Sequence, residues 1–360
     1  MHCAVTTYKF SVIQNNQIIR GGCSSRGEGV NNEVTWSAPA LQAPPLLFST
    51  VSPLTDECWE CGCRRPQVAD MGDRPPIKVV SGMPTLASFA ENWENVQSFQ
   101  ARDEDLLIVT YPKSGTTWIS EILDLMLHNG DVTKTQRGAI YERVPFLEYA
   151  VPDMPTGTEI LNARESPRII KSHLPVNVLP RSFWEKKCKI IYMARNPKDV
   201  LVSYYHFHRM ALVHPDPGTF EEYLHTFIEG KVACGPWSDH VKGWWKIRHQ
   251  KDILYLFYED MLEDQDREIK KVMKFIEKDL PEDVLEKINQ RTTFKAMKDN
   301  DMTNYRSIPS SVMDHNISPF MRKGVCGDWK FHLTVAQNEL FDEYYKREMA
   351  DTDLTFHFED

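Results

Sequence analysis

Residues Leu106–Trp118 restrict what this chain can fold into more than any other segment. Leu106-Leu-Ile-Val-Thr-Tyr111 is a short apolar run rich in β-formers, the composition of a strand buried on both faces. The small-residue loop Pro112-Lys-Ser-Gly115 follows at once. From Thr116 to His128, apolar residues at 118, 122, 125 and 126 keep a helical spacing, and Gly130 suits the helix end. A strand running through such a loop into a helix presents backbone N–H groups and the positive end of a dipole to an anion. Lys113 adds a full charge, Gly115 lets the backbone approach closely, and Ser114, Thr116 and Thr117 offer hydroxyls. This is phosphate-cradle chemistry. It is not a Walker A loop, because G-x-x-x-x-G-K-[ST] is absent and the lysine precedes the glycine. Taken alone, an ordinary strand–helix turn explains the segment almost as well.

The same rhythm continues downstream. Ile169-Ile170, Lys189–Ala194 and Ile253–Tyr258 repeat the strand pattern. Asn196 followed by Pro197 makes an N-cap and first-turn pair, and a helix over 268–278 places Ile269, Val272, Met273 and Ile276 on one face. Alternating strands and helices imply a mainly parallel sheet flanked by helices, with ligands at the carboxyl ends of the strands. Residues 76–360 are expected to form this single α/β domain.

Before residue 76 the sequence is rich in Ser, Asn, Gly and Pro without sustained period, so residues 1–75 are expected to be a disordered extension. Cys58, Cys61 and Cys63 lie within it as C-x-x-C-x-C. A structural zinc site takes four ligands and no well-spaced fourth is present, which favours free thiols. Cys3 and Cys23 also fall in this stretch, and the remaining three of the eight cysteines, Cys188, Cys234 and Cys326, are scattered singly, which suits a reducing compartment. A net charge of -9 argues against general affinity for nucleic acid or anionic membranes. No stretch is long and apolar enough to span a bilayer, and Tyr8–Ile19 is too broken by polar residues for a secretory signal. A cytoplasmic protein is expected.

Three further clusters follow predicted strands or lie near the C-terminus. In Lys171-Ser-His-Leu-Pro175, His173 leaves the carboxyl end of a strand, where it can act as a general base, although a hydrogen-bonded structural histidine is the commoner case. Lys171 would favour its neutral form if close. Arg195-Asn-Pro-Lys-Asp-Val-Leu-Val-Ser203 places Arg195 at a strand end and Ser203 in the next helix. The guanidinium suits a phosphate, or else an ion pair with Asp199. Phe320-Met-Arg-Lys-Gly324 sets two cations before a glycine, a phosphate clamp or a solvated turn.

Together, Y-P-K-S-G-T-T-W, K-S-H-L-P, R-N-P-K-D-V-x-V-S-Y-Y-H-F, F-Y-E-D and F-M-R-K-G-x-x-G-D-W resemble the cytosolic sulfotransferases in that order, most closely the phenol and oestrogen branch. The similarity runs from about residue 76 to the C-terminus. It implies the sulfotransferase fold, related to that of P-loop NTPases, and transfer of a sulfuryl group from 3′-phosphoadenylyl sulfate (PAPS) to a hydroxyl without a metal. By resemblance, Lys113 to Thr117 cradle the 5′-phosphosulfate and Trp118 stacks near the adenine. Arg195, Ser203, Arg322, Lys323 and Gly324 hold the 3′-phosphate, and Tyr258, Thr292 and Phe294 surround the adenosine. His173 is the implied base, with Lys113 and Lys171 stabilising charge. Phe89, Phe146, Tyr149, Phe207, Val213, Tyr305 and Val312 are the implied acceptor pocket, a lining suited to a small aromatic molecule. Ala211 stands where a carboxylate would favour an amine. Lys330, Thr334, Val335 and Glu339 match the family's K-x-x-x-T-V-x-x-x-E dimer contact, although Thr334 also suits a simple helix cap. Ser172 replaces a usual threonine and Thr293 a usual serine, and neither change removes a functional-group type. A nucleotide kinase, a membrane-anchored Golgi sulfotransferase and a non-catalytic nucleotide or steroid carrier are the rivals. The intact Lys113, Lys171, His173 and Ser203 favour the enzyme over the carrier.

Overall fold

The computed structural model describes residues 74–359. All but Arg74 and Pro75 of the expected extension, the Cys58/Cys61/Cys63 cluster included, therefore lie outside the described residues. The Arg74 guanidinium donates to the carbonyls of His208 and Arg209 at 2.6 and 3.0 Å.

A two-stranded antiparallel ribbon, β1 (Ile77–Val80) and β2 (Met83–Leu86), precedes the main sheet. That sheet has four parallel strands: β3 (Leu106–Thr110), β4 (Ile169–Ser172), β5 (Lys189–Ala194) and β6 (Ile253–Phe257). Their order is β4-β3-β5-β6, with Leu107 opposite both Ile170 and Ile190. The four expected strands are all present. The first and last are each one residue shorter than expected, the last because Tyr258 already opens the helix Tyr258–Glu263, and the second runs on from Ile170 to Ser172. The expected helix over 268–278 runs instead from Gln265 to Phe275. Asp264 caps it by accepting from the Arg267 N–H, and that polar start carried no hydrophobic signal.

Period-two burial explains why the sheet is covered twice. Leu107 and Val109 point into one core with Tyr192, Trp237 and Trp244. Leu106 and Ile108 point into the other, with Ile119, Ile122, Met193 and Ile269. Each fully buried Leu or Ile contributes on the order of 1.5–3 kcal/mol, so both helical layers are held by hydrophobic burial. The chain leaves β3 towards β4 on one side and reaches β5 on the other. The order therefore reverses around β3, and a crevice opens beyond its carboxyl end.

Candidate active site

Three strands deliver their next residues to that crevice. After β3, the loop turns through Lys113 at φ 69° and Gly115 at φ 96° into the helix Thr116–Leu127. Left-handed backbone at both positions curls the loop, and no side chain caps the helix. A Cβ on Gly115 would meet the Met193 sulfur at 2.7 Å and the Tyr258 ring at 2.9 Å, so glycine is required sterically as well. The buried Ser114 Oγ has no partner. Thr116 is less available than the sequence suggests, because its hydroxyl shares a 2.7 Å hydrogen bond with Thr110.

Lys113 Nζ sits 4.2 Å from the centroids of both Phe207 and Phe320. Burial, then repulsion from Arg195 and Arg322, lowers its pKa to about 7. A desolvated lysine crowded by two further cations is suited to an incoming anion. Arg195 does not pair with Asp199. It donates to the Lys113 and Val325 carbonyls at 3.1 and 3.0 Å, and its guanidinium lies 4.3 Å from the Tyr258 ring. Asp199 instead accepts from the N–H groups of Gly327 and Trp329, tying the 320s loop to the helix Pro197–Met210. Within that loop Arg322 and Lys323 both bond the Asp328 carboxylate. Gly324 has φ 68°, and a Cβ there would lie 2.0 Å from the Phe294 ring.

After β4 comes His173. Its Nδ1 lies 2.8 Å from the Thr110 carbonyl, an arrangement that places a proton on Nδ1 and leaves Nε2 as the acceptor. Burial lowers its pKa to about 4, the Thr110 carbonyl opposes this, and Lys171 and Lys113 push it further down. The imidazole is therefore neutral and proton-accepting at neutral pH. The edge of Phe146 packs on it with centroids 4.9 Å apart. Lys171 Nζ reaches the Tyr305 hydroxyl at 3.3 Å.

One cavity of about 930 Å³ collects these groups. Every residue expected in the nucleotide and acceptor sites lines it except Ser114, which is fully buried. Ser203 and Arg195 both line it, and Trp118 and Tyr258 meet edge to face at 5.4 Å. Thr292 lines the wall with its hydroxyl already engaged, donating to the Ile288 carbonyl and accepting from Gln265. Phe89, Phe146, Tyr149, Phe207, Val213, Tyr305 and Val312 all face the same space. Sequence reasoning missed Phe320, which stacks on Tyr305 at 4.0 Å and completes the aromatic slot around Lys113. It stood inside a quoted motif, and its aromatic type was the available signal. Glu148, His214 and Cys234 were also missed, and nothing in their local spacing marks them.

Residues 103–353 match the family model for the sulfotransferase domain. The chain belongs to the sulfotransferase family. It is 56% identical over 280 residues to mouse (Mus musculus) sulfotransferase 1 family member D1, covering 78% of this chain and 95% of that one. Bovine (Bos taurus) sulfotransferase 1A1 is 54% identical, with 79% and 97% covered, and human (Homo sapiens) sulfotransferase 1C2 is 54% identical, with 80% and 97% covered. Among solved structures, mouse sulfotransferase SULT7A1 complexed with PAP aligns with a TM-score of 0.64 at 31% identity, over 77% of this chain and 95% of that one. A retinol dehydratase complex shares the fold at a TM-score of 0.71 and 24% identity, covering 78% and 92%. This sulfotransferase is thus a family 1 enzyme that transfers a sulfuryl group to hydroxyl acceptors. Among its described residues no helix is long and apolar enough to cross a membrane.

The segment expected to make a dimer lies apart from the cavity. Thr334 caps the helix Val335–Glu348 by accepting from the Gln337 N–H, and Lys330 pairs with Glu359 of the same chain. Val335 is 76% exposed and the neighbouring Phe331 82%.

Proposed function

We propose that this sulfotransferase moves the sulfuryl group of PAPS onto the hydroxyl of a small aromatic acceptor, with His173 as general base. The observation that carries this reading is the neutral, Nδ1-anchored His173 in one cavity with the desolvated cations Lys113 and Arg195. The relative solved with PAP, at 31% identity, supports a donor of that nucleotide class. The residues present fit it. Trp118 lines the cavity with its Nε1 unpartnered, and the cradles at Gly115 and Gly324 would be filled by a Cβ. Lys113, Ser114, Gly115, Thr116 and Thr117 would hold the 5′-phosphosulfate, and Arg195, Ser203, Arg322, Lys323 and Gly324 the 3′-phosphate. Trp118, Tyr258, Thr292 and Phe294 would enclose the adenosine.

In the reaction His173 Nε2 accepts the acceptor's hydroxyl proton as its oxygen bonds to sulfur and the sulfur–phosphate oxygen bond breaks. Lys113 neutralises charge on the departing bridging oxygen, and Lys171 faces the acceptor oxygen. Positioning and fixed charge supply the rate, as in phosphoryl transfer. The aromatic lining of Phe89, Phe146, Tyr149, Phe207 and Tyr305, with Val213 and Val312, suits a flat ring with one polar tip, whether phenol, steroid phenol or thyroid-hormone-like. A metal is not required by this scheme. The test is transfer of labelled sulfate from PAPS to 4-nitrophenol, without metal, by wild type and His173→Ala. Loss of turnover by roughly 10²–10⁴-fold in the variant is expected for a general base. Tight nucleotide binding with no turnover on any phenol, steroid or amine would overturn the enzyme reading in favour of a carrier.

The exposed Val335, beside Thr334 and Lys330 with Glu339 on the same helix, supports a homodimer through this segment. Val335→Glu is expected to convert the dimer to a monomer in analytical ultracentrifugation. A wild-type monomer at micromolar concentration removes the proposal. The unbridged thiols Cys188 and Cys234 are in keeping with a cytoplasmic enzyme.

A further inference from the structure

The strand β4 ends at Ser172, so His173 stands just past the sheet and loses the ladder that would fix its backbone. Two buried side chains take its place. Glu148 Oε1 accepts from the His173 N–H at 2.7 Å and from the Ser172 hydroxyl at 3.0 Å, and Ser172 Oγ accepts in turn from the Leu174 N–H at 3.1 Å. From the opposite side, His240 Nε2 lies 3.0 Å from the His173 carbonyl. His240 is fixed as the Nε2–H donor because its Nδ1 accepts from the buried Tyr192 hydroxyl at 2.7 Å. Its 1% exposure keeps that imidazole neutral, with a pKa lowered to about 3.

We propose that Glu148 and His240 are positioning residues for sulfuryl transfer, gripping the main-chain N–H and C=O of His173 so that its ring presents Nε2 to the acceptor. The proposal rests on His173 being the base. With both backbone groups held and Nδ1 on the Thr110 carbonyl, the imidazole has three anchors from three different elements. Glu148 does a second thing. Its segment runs alongside β4, where Lys171 N–H donates to the Pro145 carbonyl at 3.0 Å and Leu147 N–H to the Lys171 carbonyl at 2.9 Å. Phe146 and Tyr149, which wall the cavity, flank Glu148 on this segment. The carboxylate therefore sets the aromatic wall and the base in register with each other. A side chain kept only for packing would not need a buried carboxyl with its Oε2 unpartnered, a costly group to desolvate.

The test measures sulfate transfer from PAPS to 4-nitrophenol, binding of PAP, and the ¹⁵N spectrum of the histidine rings. Glu148→Leu and His240→Phe are expected to lose kcat on the order of a hundredfold, the size of effect that a misplaced reacting group produces. PAP affinity should move by less than about threefold in both variants, and acceptor KM by less than about threefold in His240→Phe, the split that marks a loss confined to the transition state. Glu148→Gln keeps the Oε1 acceptor and should recover most of the lost kcat. The His173 ring should change from a single Nδ1–H tautomer in wild type to a mixture in Glu148→Leu. Tyr192→Phe, which removes only the hydroxyl behind His240, gives a smaller drop in the same direction and serves if a larger change does not fold. Wild-type kcat in these folded variants, with His173→Ala inactive, overturns the positioning role and leaves the base intact. Full turnover by His173→Ala overturns the base itself.

Discussion

The two ends of the cavity are built in different ways. At the nucleotide end the chain supplies short contiguous segments: a curled loop, an uncapped helix start and a second loop carrying Arg322, Lys323 and Gly324. Its working parts are backbone geometry and crowded cations. At the acceptor end the wall comes from Phe89, Phe146, Tyr149, Phe207, Tyr305 and Phe320, scattered across more than 230 residues and joined by ring contacts such as Phe89–Phe146 at 5.5 Å and Phe207–Phe320 at 6.0 Å. Phosphate recognition tolerates little variation, because the anion's geometry is fixed and its charge must be met by placed donors. An aromatic slot needs only area and shape, so many residue combinations serve. The first end should therefore fail sharply and the second gradually.

Gly324→Ala is the strongest way to break that contrast. The added methyl has no room against Phe294 and no comfortable backbone at φ 68°, so PAP affinity should fall on the order of a hundredfold. Calorimetric titration of PAP checks this, and an unchanged affinity would show that the 320s loop adapts instead of acting as a rigid cradle. The charge side of the same end shows in its pH dependence. Burial and the neighbouring cations lower the Lys113 pKa to about 7, and an adjacent phosphosulfate would raise it. Binding then takes up a proton, so nucleotide affinity should fall by up to about tenfold per pH unit above 7. Titrations in two buffers of different ionisation enthalpy count that proton. An affinity flat from pH 7 to 9 would mean that Lys113 stays charged in the free enzyme.

At the acceptor end the expected losses are milder. Phe146→Ala removes one ring of the wall and the edge contact on His173, and acceptor KM should rise about tenfold while PAP affinity holds. Equal losses of both would mean that the two ends are not separable. The last effect concerns stability and leaves both ends of the cavity intact. Buried His208 and His240 hold pKa values lowered to about 3, far below that of an unfolded histidine. Between those values the unfolded chain binds more protons, so stability declines as pH is lowered from about 6.5, with a limiting slope near 1.4 kcal/mol per pH unit for each group. Urea unfolding at pH 7 and 5 measures it, and His240→Phe should shrink the difference.

The parallel strands, the helices that follow β3 and β5, and the motif-borne residues were legible in the primary structure, because each of those signals is local. A continuous apolar run marks β3, Asn196-Pro197 marks a helix start, and a lysine-glycine loop after a strand marks an anion cradle. Other features became visible only when the chain closed. Phe320 faces Lys113 across more than 200 residues of sequence, and Arg195 turned to the Lys113 and Val325 carbonyls instead of to nearby Asp199. Glu148 and His240 meet at His173 from two other elements, and no spacing between them announces it. What the sequence determined by itself was the set of residues whose role depends on their immediate neighbours. What only the tertiary structure decided was which buried polar atoms find partners, since that depends on how separate segments come together across the carboxyl edge of the sheet.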